Sequence, residues 1–365
     1  MGEGMEKLRI EGYDRVIYQK VKAGWDGIAK PLDGMGIFEE FLARIGAIQG
    51  KAMPGVKKSR VIVCCADNGI VEEGVSQCGQ EVTAICAENI ANGRSSVAIM
   101  AKEAGVDVLV TDLGINTDKS LLNVRDEKVR MGTRNFRREP AMTTQEAEKA
   151  IQVGMDLVRQ SKEEGLEILG VGEMGIGNTS TSSAIAAALL HLPAEVVTGR
   201  GAGLDDERLL HKRNVIQESL QKHGLFVEGE MDAEQLRAQA LDALTKVGGL
   251  DIACMTGICL GGAKYHVPIV LDGLISMVAA LVAVRLEPMV KEYLIPSHSG
   301  KEPAVKAIEK ELDLAPVLHA NMALGEGTGA VMMLQLLRTA NAVYEKSVSF
   351  DAAGIKEYER FGGKA

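Results

Sequence analysis

Residues 166–192 read LEILGVGEMGIGNTSTSSAIAAALLHL. The segment opens with a short apolar run, continues through a loop rich in glycines and hydroxyl side chains, and closes with a nearly continuous apolar stretch. A short apolar run bounded by glycines is typical of a buried strand, and the stretch after the loop is typical of a buried helix. The segment therefore predicts one strand–loop–helix unit of a parallel α/β sheet.

Similar apolar runs recur on both sides of this segment. Each closes on a glycine: RVIVCCADNG (60–69), VDVLVTDLG (106–114), EVVTGRG (195–201), DIACMTG (251–257) and VPIVLDG (267–273). Helix-like patterns at 83–105 and 182–192 separate some of them. Continuous apolar strands alternating with helices predict an α/β fold, a Rossmann-like parallel sheet of about six strands covered by helices on both faces. Ligands of such sheets bind beyond the carboxyl ends of the strands, so we expect the functional site there.

The two ends of the chain predict helices instead of strands. Residues 37–50 and 329–344 carry the apolar stripe of amphipathic helices. We therefore predict a small helical domain formed from both termini, residues 1–58 and 329–365, and a Rossmann-like domain formed by residues 59–328.

The composition narrows the class of protein. Of 365 residues, 46% are hydrophobic but only 4% aromatic, and 41 are glycine, which fits aliphatic strands with tight turns. The net charge of −9 is dispersed, which argues against a nucleic-acid surface. The six cysteines form no CxxC pair, no apolar run reaches the roughly 18 residues of a membrane span, and the first residues lack the layout of a signal peptide. We expect a cytoplasmic protein that binds no membrane.

The glycine-rich loop after the central strand suits a phosphate group. Gly175, Gly177, Asn178 and Thr179 stand where a backbone approaches an anion at a helix N-terminus, although the spacing matches neither common nucleotide motif. A helix N-cap with tight-turn glycines is the alternative interpretation. Glu173 precedes this loop. A carboxylate beside a phosphate is electrostatically unfavourable unless it binds another part of the ligand, such as the ribose hydroxyls.

A second loop and its helix offer a phosphate partner. Residues 198–216 read TGRGAGLDDERLLHKRNVI, in which Gly201 belongs to a GxGxG turn and Lys212 lies on the following helix. Lys212 is either a phosphate ligand or a solvated helix charge. At the end of the first strand, Asp67 lies at the carboxyl edge of the sheet and is a further candidate for substrate binding.

A candidate base lies near the C-terminus. Residues 320–330, ANMALGEGTGA, place Glu326 between glycines in an apolar neighbourhood just before the last helix. A carboxylate is costly to bury there without a purpose, although an acid that stabilises the helix N-terminus is the alternative. No His or carboxylate pair recurs at ligand spacing, so we predict no metal site.

Several segments, in this order, resemble the nicotinate-nucleotide:dimethylbenzimidazole phosphoribosyltransferase family. They are GTRNFRREPAMT (132–143), GVGEMGIGNTS (170–180), GLDDERLLHKRNVI (203–216), VPIVLDGLIS (267–276), LIPSH (294–298) and LGEGTGA (324–330). The resemblance covers roughly residues 25–345. It implies a Rossmann-like domain with a small helical domain from both chain ends, assembled as a dimer.

The resemblance also implies the reaction. The 5-phosphoribosyl group of nicotinate mononucleotide would pass to an aromatic base, giving an α-ribotide and nicotinate in cobamide assembly, with no metal or redox cofactor. Glu326 would be the general base, with Glu173 and Lys212 also in the site. Gly175, Gly177, Asn178 and Thr179 would form the phosphate loop.

Some positions depart from the family pattern. Asn68, Ala323 and Gly300 replace a His, an Arg and a Ser that are common in the family, so contacts at those points are not carried over. Cys78 and Cys86 stand at positions that are polar and line the base pocket in well-known members. The identity of the acceptor therefore stays open.

Three alternatives follow from this sequence. One is a phenol- or cresol-activating variant that works as a heterodimer with a related subunit, and another is a catalytically silent partner subunit. The third is an unrelated nucleotide-binding Rossmann protein. The second alternative, a catalytically silent subunit, is disfavoured because the chain keeps Glu173, Lys212 and Glu326. The third is disfavoured because the chain lacks a dinucleotide-binding fingerprint.

Overall fold

A single parallel sheet of six strands organises the chain. The structure is a computed structural model, and it describes residues 8–226, 229 and 231–360. The strands are β1 (Ser59–Ala66), β2 (Asp107–Gly114), β3 (Arg125–Asp126), β4 (Ile168–Met174), β5 (Ile269–Val270) and β6 (Leu294–Ile295). They lie in the order β3-β2-β1-β4-β5-β6, and every neighbouring pair is parallel. The predicted fold class is confirmed.

Helices cover both faces of the sheet. They are α1 (Arg15–Asp26), α2 (Ile37–Gln49), α3 (Glu81–Ala91), α4 (Ser96–Ala104), α5 (Thr144–Glu163), α6 (Asn178–Leu190), α7 (Ala194–Val197), α8 (Asp206–Lys222), α9 (Ala233–Val247), α10 (Leu250–Lys264), α11 (Leu274–Leu286), α12 (Val305–Leu312), α13 (Thr328–Lys346) and α14 (Phe350–Ala353). Side chains of β1 alternate between the two cores, with Ile62 and Cys64 in one and Val61 and Val63 in the other. This alternation follows from the period of two residues in a strand.

The strand predictions were right for the long strands and wrong for two short runs. β1, β2 and β4 lie where the sequence predicts them, and β5 occupies part of 267–273. Residues 195–201 and 251–257 are not strands: α7 ends at Val197 and a turn follows it, and α10 contains all of 251–257. Every residue of α10 from Leu250 to Ala263 is buried, so the helix has no polar face and its sequence lacks the period of a surface helix.

The predicted helix over 83–105 is in fact two helices. α3 ends before Gly93, whose φ of 76° leaves the helical region, and α4 begins after Ser95. The Ser95 side chain accepts a hydrogen bond from the amide of Ala98 and caps the second helix. The break turns the N-terminus of α4 toward the carboxyl edge of the sheet, where Val97 contacts the loop before α13.

Close packing of α5 on α10 fixes the position of the α10 N-terminus. A Cβ atom at Gly154 or at Gly257 would collide with a backbone carbonyl of the facing helix. Only glycine allows the two helices to approach so closely. The first turn of α10, which contains Asp251, is thereby held beneath the carboxyl edge of the sheet.

The first and last helices meet at one side of the sheet. The rings of Trp25 and Tyr344 lie with centroids 4.9 Å apart, and the amide of Phe350 donates to the carbonyl of Gly27 at 3.2 Å. α13 also packs on β4 and α4. The division into a helical domain and a sheet domain stays a prediction. Among the described helices, none is long and apolar enough to cross a membrane.

Candidate active site

The site lies where the strand order reverses. β1 and β4 are neighbours, and their connections leave toward opposite edges of the sheet. Such a switch point opens a crevice at the carboxyl ends of the strands. A cavity of about 200 Å³ lies there. It is lined by segments 75–77, 173–179, 200–202 and 272–276, by Leu204, His298 and Glu302, and by segment 322–325.

The loop between β4 and α6 forms one wall of the cavity. Gly177 precedes α6 with φ of 93°, and a Cβ atom there would come within 2.7 Å of Val71. The amide of Ile176 donates to Thr83 Oγ1 at 3.1 Å, and this hydroxyl donates to Asp67 at 2.6 Å. Asp67 is therefore behind the loop rather than on the cavity surface. It anchors the loop through Thr83, so we propose a supporting role for it instead of direct substrate contact.

Lys212 reaches the far end of the same loop. Its side chain is fully buried, and Nζ donates to Thr179 Oγ1 at 2.8 Å. Gly201 has φ of 55°, and a Cβ atom there would lie 2.8 Å from Thr179 Oγ1 and 3.4 Å from Lys212 Nζ. Burial lowers the pKa of Lys212 to about 8, and Glu302 opposes this effect. Lys212 forms no ion pair within the described residues, so an anionic ligand would offset its desolvation.

Glu173 lines the cavity. Its Oε2 accepts a hydrogen bond from Asn178 Nδ2, and its Oε1 accepts from the amide of Glu326 at 3.4 Å. The pKa of Glu173 is raised to about 7, mainly by burial and also by the acids Asp272 and Glu326, against the opposing effect of the bond from Asn178. This carboxyl group can therefore exchange a proton near neutral pH.

The loop of Glu326 is held in a strained conformation. Glu326 has φ of 61°, a value that side-chain-bearing residues rarely adopt, and it lies between two glycines with positive φ. Asp272 accepts from the amide of Gly327 at 3.1 Å and from that of Gly329 at 2.7 Å. Glu326 Oε2 accepts from the amide of Val97 at 3.2 Å, at the N-terminus of α4. The backbone amide of Glu326 therefore contacts Glu173, while its carboxylate is held at the N-terminus of α4 and does not line the cavity.

The two candidate cysteines lie near Glu326 but do not line the cavity. Cys86 is half-buried on α3, and Cys78 is exposed on the preceding loop. Burial raises the pKa of the Cys86 thiol, and the nearby Glu326 and Cys78 raise it further. Cys86 therefore faces the same space as Glu326, and Cys78 lies farther toward solvent.

Other residues of the site are not evident from the sequence. Asp251 lies in the run 251–257 that predicts a strand, and Asp272 is equally explained by a strand-ending turn. His298 lines the cavity, and burial lowers the pKa of its imidazole. Arg200 lines it as well, although its guanidinium group is held by the carbonyl of Leu204 at 2.9 Å.

The positions that depart from the family pattern also surround the cavity. Ala323 lines it directly. Asn68 is buried behind the loop, where its Oδ1 accepts from Thr181 Oγ1 at 3.1 Å. A Cβ atom at Gly300 would lie 2.6 Å from the carboxylate of Glu302. Within residues 8–226, 229 and 231–360, no group of three His, Cys, Asp or Glu side chains could hold a metal ion.

Comparisons with known proteins show which family the chain resembles. A family model described as "Phosphoribosyltransferase" matches residues 10–355. A protein of Clostridium acetobutylicum named nicotinate-nucleotide--dimethylbenzimidazole phosphoribosyltransferase is 40% identical over 350 residues, which cover 96% of this chain and 97% of that protein. A protein of Acetivibrio thermocellus with the same name is 40% identical over 334 residues, 92% of each chain. The crystal structure of CobT from Thermus thermophilus superposes with a TM-score of 0.85 at 34% identity, covering 94% of this chain and 100% of that one.

Proposed function

This chain belongs to the nicotinate-nucleotide:dimethylbenzimidazole phosphoribosyltransferase family, and on that premise we propose that it transfers the 5-phosphoribosyl group of nicotinate mononucleotide to a lower-ligand base. The products are an α-ribotide, which enters the nucleotide loop of a cobamide, and nicotinate. The observation that carries the proposal is the lining of the cavity. Thr179 and Gly201 line it in front of the buried ammonium of Lys212, which has no ion-pair partner in the described part of the chain, and Glu173 lines it next to the loop of Glu326.

The cavity can bind the nucleotide in one orientation, with the 5′-phosphate toward Lys212 and the ribose toward Glu173. Lys212 supplies a positive charge for the 5′-phosphate, with the hydroxyl of Thr179 and the backbone at Gly201 beside it. The backbone of Gly175 and Gly177 lies at the N-terminus of α6, which favours an anion. Glu173 then lies within reach of the ribose, and its carboxyl group can hydrogen-bond the hydroxyls.

The chemistry is one displacement at C1′ of the ribose. A bond forms from a ring nitrogen of the base to C1′ as the bond from C1′ to the nicotinate nitrogen breaks on the opposite face, so the β-linked nucleotide gives an α-linked product. The electron pair of the broken bond returns to the pyridine ring, which leaves as nicotinate. Glu326 accepts the proton that the base loses from its other ring nitrogen. Negative charge on Glu173 stabilises the positive charge that develops on the ribose.

The acceptor that we propose is 5,6-dimethylbenzimidazole or a similar base, after the name of the relatives. A phenol- or cresol-activating enzyme paired with a related subunit is the second candidate. It is suggested by Cys78 and Cys86 in the sequence, although neither thiol lines the cavity. Thiols are weaker hydrogen-bond partners for a ring nitrogen than amides or hydroxyls. A silent partner subunit is disfavoured because Glu173, Lys212 and Glu326 are all in place. We further propose a homodimer in the cytoplasm.

The proposed function is tested with the purified chain. Nicotinate mononucleotide is supplied with a panel of benzimidazoles, purines and phenols, and product masses and released nicotinate are measured. We expect a ribotide from dimethylbenzimidazole. Turnover with phenols alone would favour the second candidate, and no product with any acceptor would contradict both.

A further inference from the structure

Asn178 joins the carboxyl group of Glu173, which lines the cavity, to the buried carboxyl group of Asp251. Its Nδ2 donates one hydrogen bond to Oε2 of Glu173 and another, of 3.1 Å, to Oδ2 of Asp251. The three residues belong to α6, β4 and α10, so three elements meet at one amide nitrogen. Because both amide hydrogens are used, the orientation of the Asn178 side chain is fixed.

Asp251 does not reach the substrate space. It is fully buried and does not line the cavity, whereas Glu173 and Asn178 do. Its Oδ1 has no hydrogen-bond partner within the described part of the chain. A side chain at Gly249 would collide with the Oδ1 atoms of both Asp251 and Asn68, so glycine leaves these two oxygens facing the same space. A protonated Asp251 can donate to Asn68 there.

The groups that face this pair are acids or thiols in the region that the structure describes. They are Asp272 after β5, Glu326 before α13, and the thiols of Cys64 and Cys65 on β1. The pKa of Asp251 is raised to about 7, mainly by burial and also by the charge of Glu173, against the opposing effect of the bond from Asn178. Two such neighbours titrate as a coupled pair, and the charge of one opposes ionisation of the other.

We propose that Asp251 is a positioning residue for the transfer: through Asn178 it holds the Glu173 carboxyl group at the ribose, although it does not itself reach the cavity. The inference rests on the proposed function, because the ribose of nicotinate mononucleotide is what Glu173 meets. Asp251 also makes the ionisation of Glu173 depend on its own charge. A residue that served only to cap α10 would have neither effect.

Two substitutions of Asp251 separate the effect of its hydrogen bond with Asn178 from the effect of its negative charge. In Asp251→Asn the side-chain oxygen can still accept from Asn178 and the new amide can donate to Asn68, while the negative charge is lost. We expect wild-type affinity for nicotinate mononucleotide at neutral pH. The acid limb of the kcat/KM profile should move down by roughly one pH unit, since Glu173 loses a like charge. In Asp251→Ala, Asn178 loses its second partner, and we expect roughly tenfold weaker binding of the nucleotide.

The measurements are calorimetric titration of nicotinate mononucleotide without acceptor at several pH values, and pH profiles of kcat/KM with acceptor. Asp112→Asn is the control: Asp112 is another buried aspartate at a strand end, paired with Lys128 outside the cavity, and its loss should leave the profile in place. An Asp251→Asn variant with the wild-type pH profile would overturn the inference, even if Asp251→Ala fails to fold. If the wild-type chain neither binds nor converts the nucleotide, the proposed function itself fails.

Discussion

Glu326 is the residue on which the proposed chemistry depends most. Its backbone is in the left-handed region with φ of 61°. Such a conformation costs on the order of 1–3 kcal/mol and persists only where the surroundings impose it. Asp272 supplies that constraint, since it holds the amides of Gly327 and Gly329. These bonds hold the loop so that the Glu326 carboxylate meets the amide of Val97.

We expect Glu326→Gln to keep nucleotide binding and lose turnover. The amide oxygen of Gln can still accept from Val97, so the loop should stay in place, but the side chain can no longer take a proton. The loss in kcat should be on the order of 10²–10⁴-fold, the usual range for a general base. Steady-state kinetics and the Kd of nicotinate mononucleotide check this. Near-normal turnover with every acceptor would contradict the assignment.

Lys212→Ala should weaken binding of nicotinate mononucleotide and barely change binding of the free acceptor. The reason is the loss of a charge-assisted bond to the phosphate. Lys212→Arg should restore binding only in part, because a planar guanidinium group presents its donors differently. Lys222→Ala is a control on the same helix, since among the described residues Lys222 donates to the backbone carbonyls of Arg137 and Arg138 and not to the loop of the cavity. Equal loss of affinity for both ligands would indicate a folding defect instead.

The two cysteines should influence the choice of acceptor. Replacing Cys78 by Ser and Cys86 by Gln restores hydrogen-bonding groups, and the ratio of kcat/KM should shift toward benzimidazoles over phenols by roughly tenfold. Cys86 faces Glu326 and Cys78 is exposed, so most of the shift should come from Cys86→Gln alone. An unchanged ratio in competition assays would mean that the cysteines only fill space.

The sequence predicts site residues where a polar group interrupts an apolar pattern. Glu173, Asn178 and Thr179 belong to a recognisable strand–loop–helix unit, and the structure brings them to one cavity. Asp251 gives no such signal, because it stands in an apolar run that reads equally well as a strand or a buried helix. Its importance depends on contacts between residues far apart in sequence, and one chain alone does not reveal them.

Long-range packing that the sequence does not display also explains which helices and strands were predicted wrongly. β1, β2 and β4 are long and central, so apolar runs bounded by turns predicted them well. β3 and β6 contain two residues each and leave no periodic pattern. The buried α10 resembles a strand in composition because packing on all sides removes the polar face that identifies a helix.

We expect Gly257→Ala to destabilise the protein through the contact between α5 and α10. The added methyl group would meet the backbone of Ile151, so the helices must separate. Overpacking of this kind costs typically about 1–3 kcal/mol. Urea unfolding measures the change. At Gly27 a Cβ atom would lie 3.6 Å from its nearest neighbours, so Gly27→Ala is the control and should change stability little. Equal stability of both variants would contradict the packing argument.

Acids with raised pKa values make the free energy of unfolding of this protein depend on pH. Burial raises the pKa of Glu173 from 4.5, and that of Asp251 from 3.8, to about 7 in each case. The folded state therefore binds these protons more tightly than the unfolded state does. The resulting stabilisation is complete below the unfolded pKa values and is lost as pH rises through the folded ones.

The free energy of unfolding should accordingly fall between about pH 4.5 and pH 7. Each group contributes at most about 1.4 kcal/mol per pH unit while it titrates. Asp251→Asn removes one such group, so its decline should be shallower than that of the wild type. Urea unfolding at a series of pH values checks this. Parallel declines in the two proteins would show that Asp251 does not carry a raised pKa.

A single-turnover reaction tests the proposed displacement at C1′ most directly. The enzyme is in excess over nicotinate mononucleotide, and dimethylbenzimidazole is the acceptor. We predict that nicotinate and a phosphoribosyl-benzimidazole form in equal amounts and that NMR shows the α configuration at C1′. Nicotinate released with ribose 5-phosphate as the only other product, or a β-linked product, would contradict displacement by a base held on the opposite face of the ribose.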